Sequence, residues 1–366
     1  MAKQKKEMPT GTWDLIVQGL SKKFGDGLSI FNMGTENSKI LKVEVFPTNL
    51  VSLDNALGVF GFPKGRVIEI YGPESGGKTT LALHMIKAIR TAYKNHPILY
   101  VDLEHALDRT WMETVGVSFD NLWVSQPSAA ETALQLILSA AESGETPFIV
   151  LDSIPALVPQ VELDGQMTDQ QMGTIARILG KFFRKITSSL KKNNTTLFCI
   201  NQIRQKLGPI SGETRPGGNA LKYWATMILR VSKESPIKVG DEIAGVWIKV
   251  EVKKNKVAPP FKSAIIPLLF DSGFSKEMDL INFGVQEGIV DKKGAWFSYQ
   301  DQQLGQGILN SSRNLTPELF DKIYQEIKDL KMDGVIIEPE QEEVLSPETQ
   351  FETTEFINIK DLNGEK

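Results

Sequence analysis

The chain has 366 residues, 41% of them hydrophobic, and a formal net charge of −4. That length allows one large domain with smaller attachments, and the composition fits a soluble globular protein. No apolar run is long enough to cross a bilayer, and no apolar h-region follows the charged start Met1-Ala-Lys-Gln-Lys-Lys-Glu7, so neither a membrane span nor a secretory signal is expected. The single cysteine, Cys199, excludes an internal disulfide and fits a reducing cytoplasm. It lies in the apolar run Thr196-Leu-Phe-Cys-Ile200, where it reads as a small core side chain. His84, His96 and His105 have no metal-ligand spacing with one another or with Cys199.

In chain order, Trp13 to Phe24 reads as an amphipathic helix, ended by Gly25-Asp-Gly27. From about residue 48 to 270, short apolar strands alternate with helices. The strands are expected at 66–71, 98–102, 147–152, 196–201 and 227–232. This alternation predicts a mainly parallel, doubly wound α/β sheet. Runs at 246–253 and 263–270 lack a helix between them, so that edge is expected to be antiparallel. Around residues 275 to 335 the texture changes to short helices with an aromatic segment, Gly294-Ala-Trp-Phe-Ser-Tyr299, read as a small α/β C-terminal domain. Residues 338–366 hold nine acidic side chains and two lysines, a net of −7, which leaves +3 on the rest. Such a tail is expected to be disordered. It either competes with a phosphate backbone for the basic body or only solubilises the chain. The expected division is therefore 1–47, an N-terminal helix and linker; 48–274, an α/β core; 275–337, the small C-terminal domain; and 338–366, the acidic tail.

The most informative string is Gly72-Pro73-Glu74-Ser75-Gly76-Gly77-Lys78-Thr79, a complete G-x-x-x-x-G-K-T phosphate-binding loop. Its glycines let the backbone turn its N–H groups towards phosphate oxygens. Lys78 reaches the outer phosphates, and the Thr79 hydroxyl ligates Mg²⁺. The context agrees, since the Arg66–Tyr71 strand precedes the loop and a helix from Thr80 follows it. Phe148-Ile-Val-Leu-Asp152 supplies a carboxylate at a strand end for the Mg²⁺ shell. Val101-Asp-Leu-Glu104 ends another strand on the same side. Glu104 either polarises the attacking water or caps the next helix. Trp111 is either an adenine platform, with Asp108 accepting from the adenine amino group, or a core aromatic. Gln202 stands at the tip of a further strand, placed to bond a terminal phosphate. The loop after it, Arg204 to Gly218, has four Gly, two Pro and three cationic residues. A second polar loop, Glu162 to Met172, follows the Asp152 strand. Both are either ligand-binding switches, the basic one suited to phosphate backbones, or ordinary surface loops.

These strings resemble the bacterial RecA recombinase family. The matching segments are Gly72–Thr79, Glu104-His-Ala-Leu-Asp108, Asn201-Gln-Ile-Arg204, Gly217-Gly-Asn-Ala-Leu-Lys222, Lys254-Asn-Lys256 with Pro260-Phe-Lys262, and Gly294-Ala-Trp296 with Gly305-Gln-Gly307, in the same order over roughly residues 13 to 310. The second and fourth are far more specific than the phosphate loop. The resemblance implies a RecA-type ATPase core and an ATP-dependent recombinase. It would form helical filaments on single-stranded DNA and pair that strand with homologous duplex DNA. ATP and Mg²⁺ are the implied cofactors, with ATP phosphates held by Gly72 to Thr80. Glu104 would activate water, Asp152 would support Mg²⁺, Asp108 and Trp111 would contact adenine, and Gln202 would sense the γ-phosphate. Lys254 and Lys256 would reach the neighbouring subunit's ATP site, as an arginine finger does. Met172, Arg177, Arg184, Arg204, Leu207, Gly217, Gly218 and Asn219 match positions at or near DNA. The N-terminal helix would dock on the next subunit, and repressor and mediator proteins are further partners in prospect.

Three departures are visible. Trp111 stands where the family usually has Tyr, the Arg204–Gly218 loop is about two residues shorter, and Glu251 replaces an expected cation. The rivals are another ATPase on the same core, such as a ring-forming helicase or motor, and a repair mediator that binds ATP without useful turnover.

Overall fold

The computed structural model describes residues 12–24, 43–166, 173–205 and 213–332. Nine strands form one sheet. Their spatial order is Gly273–Phe274, Ser263–Leu269, Glu242–Asn255, Met227–Val239, Val67–Gly72, Thr196–Gln202, Phe148–Asp152, Ile98–Asp102 and Leu122–Ser125. From Met227–Val239 to Leu122–Ser125 every neighbouring pair is parallel. The other three pairings are antiparallel, as the missing helix between the runs at 246–253 and 263–270 predicted for that edge; the short edge strand Gly273–Phe274 was not expected.

The central strands are apolar because both of their faces are covered. Every residue of Val67–Gly72, Ile98–Asp102 and Phe148–Asp152 is buried. Alternate side chains go to opposite cores, as the two-residue repeat of a strand requires. Ile68, Ile70, Val150 and Phe198 pack with Leu81, Met85 and Ile89 of the helix Lys78–Ala92. Val67, Leu99, Ile149 and Cys199 pack on the other face with the helices Ala130–Ser143 and Thr174–Lys192.

The chain order places the site. After Val67–Gly72 and its helix, the next strand, Ile98–Asp102, is not a neighbour, since Phe148–Asp152 and Thr196–Gln202 lie between them. The carboxyl ends of these four strands therefore open onto one crevice at a topological switch point, where open α/β sheets bind ligands.

Two further strands of this sheet depart from the sequence expectation. The strand expected at 227–232 runs on to Val239 and forms a long hairpin with Glu242–Asn255. Its outer half is largely exposed, and so carries no apolar signal. The edge strand Leu122–Ser125 was not expected at all. It leaves Trp123 and Val124 exposed, which blurs the alternation that marks a half-buried strand.

Beyond the sheet, the strands Asp291–Lys293, Trp296–Tyr299 and Gln302–Gln306 form a small antiparallel sheet. It packs with the helices Lys276–Gln286 and Pro317–Met332 around Leu280, Phe297, Tyr299 and Ile323. The helix Val51–Leu57 joins the two parts. Val51 enters this small core, and the Ser52 N–H donates to Asp279 at 3.0 Å. The helix Thr12–Phe24 exposes Trp13, Leu15 and Ile16.

Candidate functional site

The loop leaves the strand at Gly72 because only a glycine fits there. A Cβ on Gly72 would lie 1.9 Å from the Val231 carbonyl oxygen of the neighbouring strand. The turn closes at Gly77, with φ of 89°, a left-handed value that a side chain disfavours. The helix then starts at Lys78 with no side-chain cap. Its first-turn N–H groups and the positive end of its dipole are therefore free to meet an anion. Lys78 is buried, and its Nζ donates to the carbonyls of Pro73 at 2.7 Å and Gly72 at 3.2 Å. Desolvation lowers its pKa, against the opposing pull of Asp152, Glu104 and Glu74.

Asp152 ends its strand beside this loop, 4% exposed. Its Oδ2 accepts from the Thr79 hydroxyl at 2.9 Å and from the Tyr100 hydroxyl at 2.7 Å. Desolvation pushes its pKa up to about 6; the two hydroxyl donors oppose this, while Glu104 and Asp102 add to it. The hydroxyl and carboxylate oxygens are hard donors of the kind a divalent cation such as Mg²⁺ takes. With the buried ammonium and the uncapped helix start, the residues present fit a magnesium nucleotide.

Glu104 does not cap a helix. Its Oε1 accepts from Gln202 Nε2 at 2.9 Å and from the Ser153 hydroxyl. The cap belongs to Asp108, whose Oδ1 accepts from the Trp111 N–H at 2.7 Å and starts the helix Arg109–Val115. Trp111 packs against the main core and also lines a cavity of about 320 Å³ with residues 75–80. The two readings of this indole, core and platform, are thus compatible. Asp102, which the sequence reading passed over, holds the turn carrying Glu104. It accepts from the N–H groups of Ala106 and Leu107 and from Gln126 Nε2 at 2.9 Å.

Lys254 and Lys256 are engaged elsewhere. Lys254 Nζ donates to the Lys222 carbonyl at 2.7 Å, and Lys256 Nζ to the Tyr223 carbonyl at 3.2 Å, which satisfies the end of the helix Asn219–Trp224. Of the residues matched to DNA positions, Arg177 and Arg184 are exposed on the helix Thr174–Lys192, and Arg204 is exposed in a two-residue strand paired with Glu213–Thr214. Gly217 and Gly218 have φ of 88° and 68°, and Asn219 starts the next helix. Met172 and Leu207 lie outside the described residues. The sequence reading also missed Tyr100, which holds Asp152. The signal was a lone hydroxyl-bearing side chain in an apolar strand (Ile-Leu-Tyr-Val-Asp).

A doubly wound sheet with a phosphate loop at the end of a central strand, and a buried carboxylate hydrogen-bonded to its threonine, defines the class of phosphate-loop nucleotide-binding proteins. The family is narrower. Residues 12–275 match the RecA N-terminal domain and residues 278–331 match the RecA C-terminal domain. Protein RecA of Syntrophus aciditrophicus is 43% identical over 319 residues, 86% of this chain and 92% of that protein. Protein RecA of Porphyromonas gingivalis is 44% identical over 322 residues, covering 86% and 93%. Protein RecA of Campylobacter jejuni is 44% identical over 336 residues, covering 90% and 96%. The chain belongs to the RecA family, and its function is that of a RecA recombinase; the ring motor and the mediator are not favoured. Among the described residues, no helix is long and apolar enough to cross a membrane.

Proposed function

We propose that the chain binds ATP with Mg²⁺ at the phosphate loop, polymerises on single-stranded DNA, and hydrolyses ATP in the course of homologous pairing and strand exchange. The observation that carries this is the Gln202–Glu104 hydrogen bond. Gln202 ends the strand that runs directly into the Arg204–Gly218 loop, so one strand joins the loop to the nucleotide crevice. Loss or gain of a phosphate oxygen at Gln202 then changes how that loop is held, a switch of the kind nucleotide hydrolysis drives.

The roles follow from position. Lys78 and the N–H groups of residues 75–80 hold phosphate oxygens, and Thr79 and Asp152 hold the metal ion. Bound Mg²⁺ supplies charge neutralisation at the phosphates. Glu104, held by Gln202 and Ser153, accepts a proton from the attacking water. Trp111 offers adenine an apolar wall, while Asp108 has one carboxylate oxygen engaged in the cap. Lys254 and Lys256 leave their helix carbonyls to meet the nucleotide of a neighbouring copy, which makes hydrolysis depend on assembly. Residues 48–274 carry the ATPase and DNA loops, with 1–47 for polymerisation and 275–337 as the small accessory domain. Arg177, Arg184 and Arg204 contact the DNA backbone, giving salt-dependent binding with little sequence preference.

Electron microscopy tests the assembly. Helical filaments on single-stranded DNA with ATP and Mg²⁺ are expected, and closed rings that unwind duplexes would contradict the reading.

A further inference from the structure

The loop from Arg204 to Gly218 returns to the sheet through an ion pair with a carboxylate inside it. Glu69 lies in the strand Val67–Gly72, just ahead of the phosphate loop, and is 1% exposed. Its Oε2 accepts from Arg215 Nη1 at 2.7 Å, and its Oε1 accepts from Asn201 Nδ2 at 3.0 Å. The same Asn201 amide donates to the Pro216 carbonyl at 3.3 Å. The Arg215 guanidinium also lies over the Tyr71 ring, 4.5 Å from its centroid. One carboxylate thus ties together three segments: the strand that becomes the phosphate loop, the strand that ends in Gln202, and the returning stem of the loop.

The chemistry makes this tie hard to break. A carboxylate buried in a sheet needs a charged partner and satisfied oxygens. Arg215 supplies the only cationic hydrogen bond to Glu69 among the described residues. The guanidinium is therefore not at liberty to sit on a phosphate without leaving Glu69 unpaired. A second pair steadies the same stem, because Arg230 Nη2 donates to Glu213 at 2.8 Å. Arg230 also reaches Glu251 at 3.3 Å, which gives that unexpected acid a partner.

We infer that Arg215 is a positioning residue: paired with Glu69, it fixes where the loop meets the sheet, so that DNA held by the loop is reported to the phosphate-loop strand and to Gln202. It does this without contacting the DNA phosphates itself. The inference rests on the loop being DNA-binding and the crevice being an ATPase site.

The test uses the full chain and the variants Glu69→Gln, Arg215→Gln and the double variant, with Arg215→Lys as the conservative control. Two quantities are read: the fold stimulation of ATP hydrolysis by single-stranded DNA, and the slope of log affinity for that DNA against log salt. Glu69→Gln keeps an acceptor for Asn201 and removes the fully buried carboxylate, and the Arg215 it leaves without an acid is partly exposed, so it remains informative if Arg215→Gln fails to fold. Each single variant is expected to lower the stimulation about tenfold, a coupling of ordinary allosteric size. The double variant should be no worse than either single one. Arg215→Lys should restore part of the stimulation, and the salt slope should stay unchanged throughout. A slope reduced by about 0.7 in Arg215→Gln alone would make Arg215 a phosphate contact and overturn the inference. So would tighter DNA binding in Glu69→Gln, or full stimulation in both single variants. If the unaltered chain shows no stimulation, the underlying ATPase reading falls, and the inference falls with it.

Discussion

Tyr100→Phe is the cleanest probe of Asp152 as the proposed metal carboxylate. The side chain is fully buried in the strand Ile98–Asp102, so the substitution removes one oxygen and leaves the packing intact. That oxygen donates to Asp152 Oδ2 at 2.7 Å, a short bond to a carboxylate that is only 4% exposed. A hydrogen bond to a charged group contributes about 1.5–3 kcal/mol, and one pKa unit corresponds to about 1.4 kcal/mol. Losing it should raise Asp152 by about 1–2 units. Burial already holds Asp152 up at about 6, so the variant should titrate near neutral pH or above. Metal binding needs the carboxylate, so kcat/KM for ATP hydrolysis should fall on the acid side of that pKa. The assay is DNA-stimulated hydrolysis at saturating Mg²⁺ across a series of pH values, for both proteins. The acid limb should move up by about 1–2 pH units, with the plateau at high pH largely preserved. Stability follows the same sign. A carboxyl raised from 3.8 to about 6 is better protonated in the folded chain than in the unfolded one. Its ionisation therefore costs stability as pH rises through that window, and the variant should extend the loss to higher pH. An unmoved acid limb would refute the assignment of Asp152 as the ionising metal ligand held by Tyr100.

Two further outcomes are expected. Gly72→Ala places a Cβ 1.9 Å from a backbone oxygen, where ordinary contact begins at 3.4 Å. It should lower stability by about 3 kcal/mol or more and abolish ATP binding, as thermal unfolding and nucleotide titration would show; a wild-type melting curve would contradict the steric account. Deleting residues 338–366 removes a net charge of −7 and should speed loading on DNA while lowering the Mg²⁺ requirement; identical loading across salt and Mg²⁺ titrations would end the competition idea.

What could be read from the sequence was what is local. Gly72 to Thr79 is contiguous, and its flanking strand and helix each carry their own periodicity, so loop, strand and helix were legible together. The strand ends at Asp152 and Gln202 were legible because apolar runs stop there. What escaped depends on distant pairing. Arg215 and Glu69 are 146 residues apart, and nothing in either neighbourhood marks them as partners. Tyr100 meets Asp152 across 52 residues. Whether Glu104 caps the next helix stayed open in the sequence for a related reason. Glu104 and Asp108 are both acids ahead of a helix, and only the backbone path of residues 104–108 shows that Asp108 stands at its start. The far half of the Met227–Val239 strand was missed because a hairpin that leaves the core loses the apolar pattern by which a strand is recognised.

Under the proposed function the nucleotide crevice and the DNA-binding loop work as one device. Its most direct test is ATP hydrolysis with and without single-stranded DNA, measured beside Lys78→Ala. Strong stimulation by DNA, abolished in the variant, is the predicted result. Hydrolysis indifferent to DNA would contradict it, because the loop would then not report to the phosphate site.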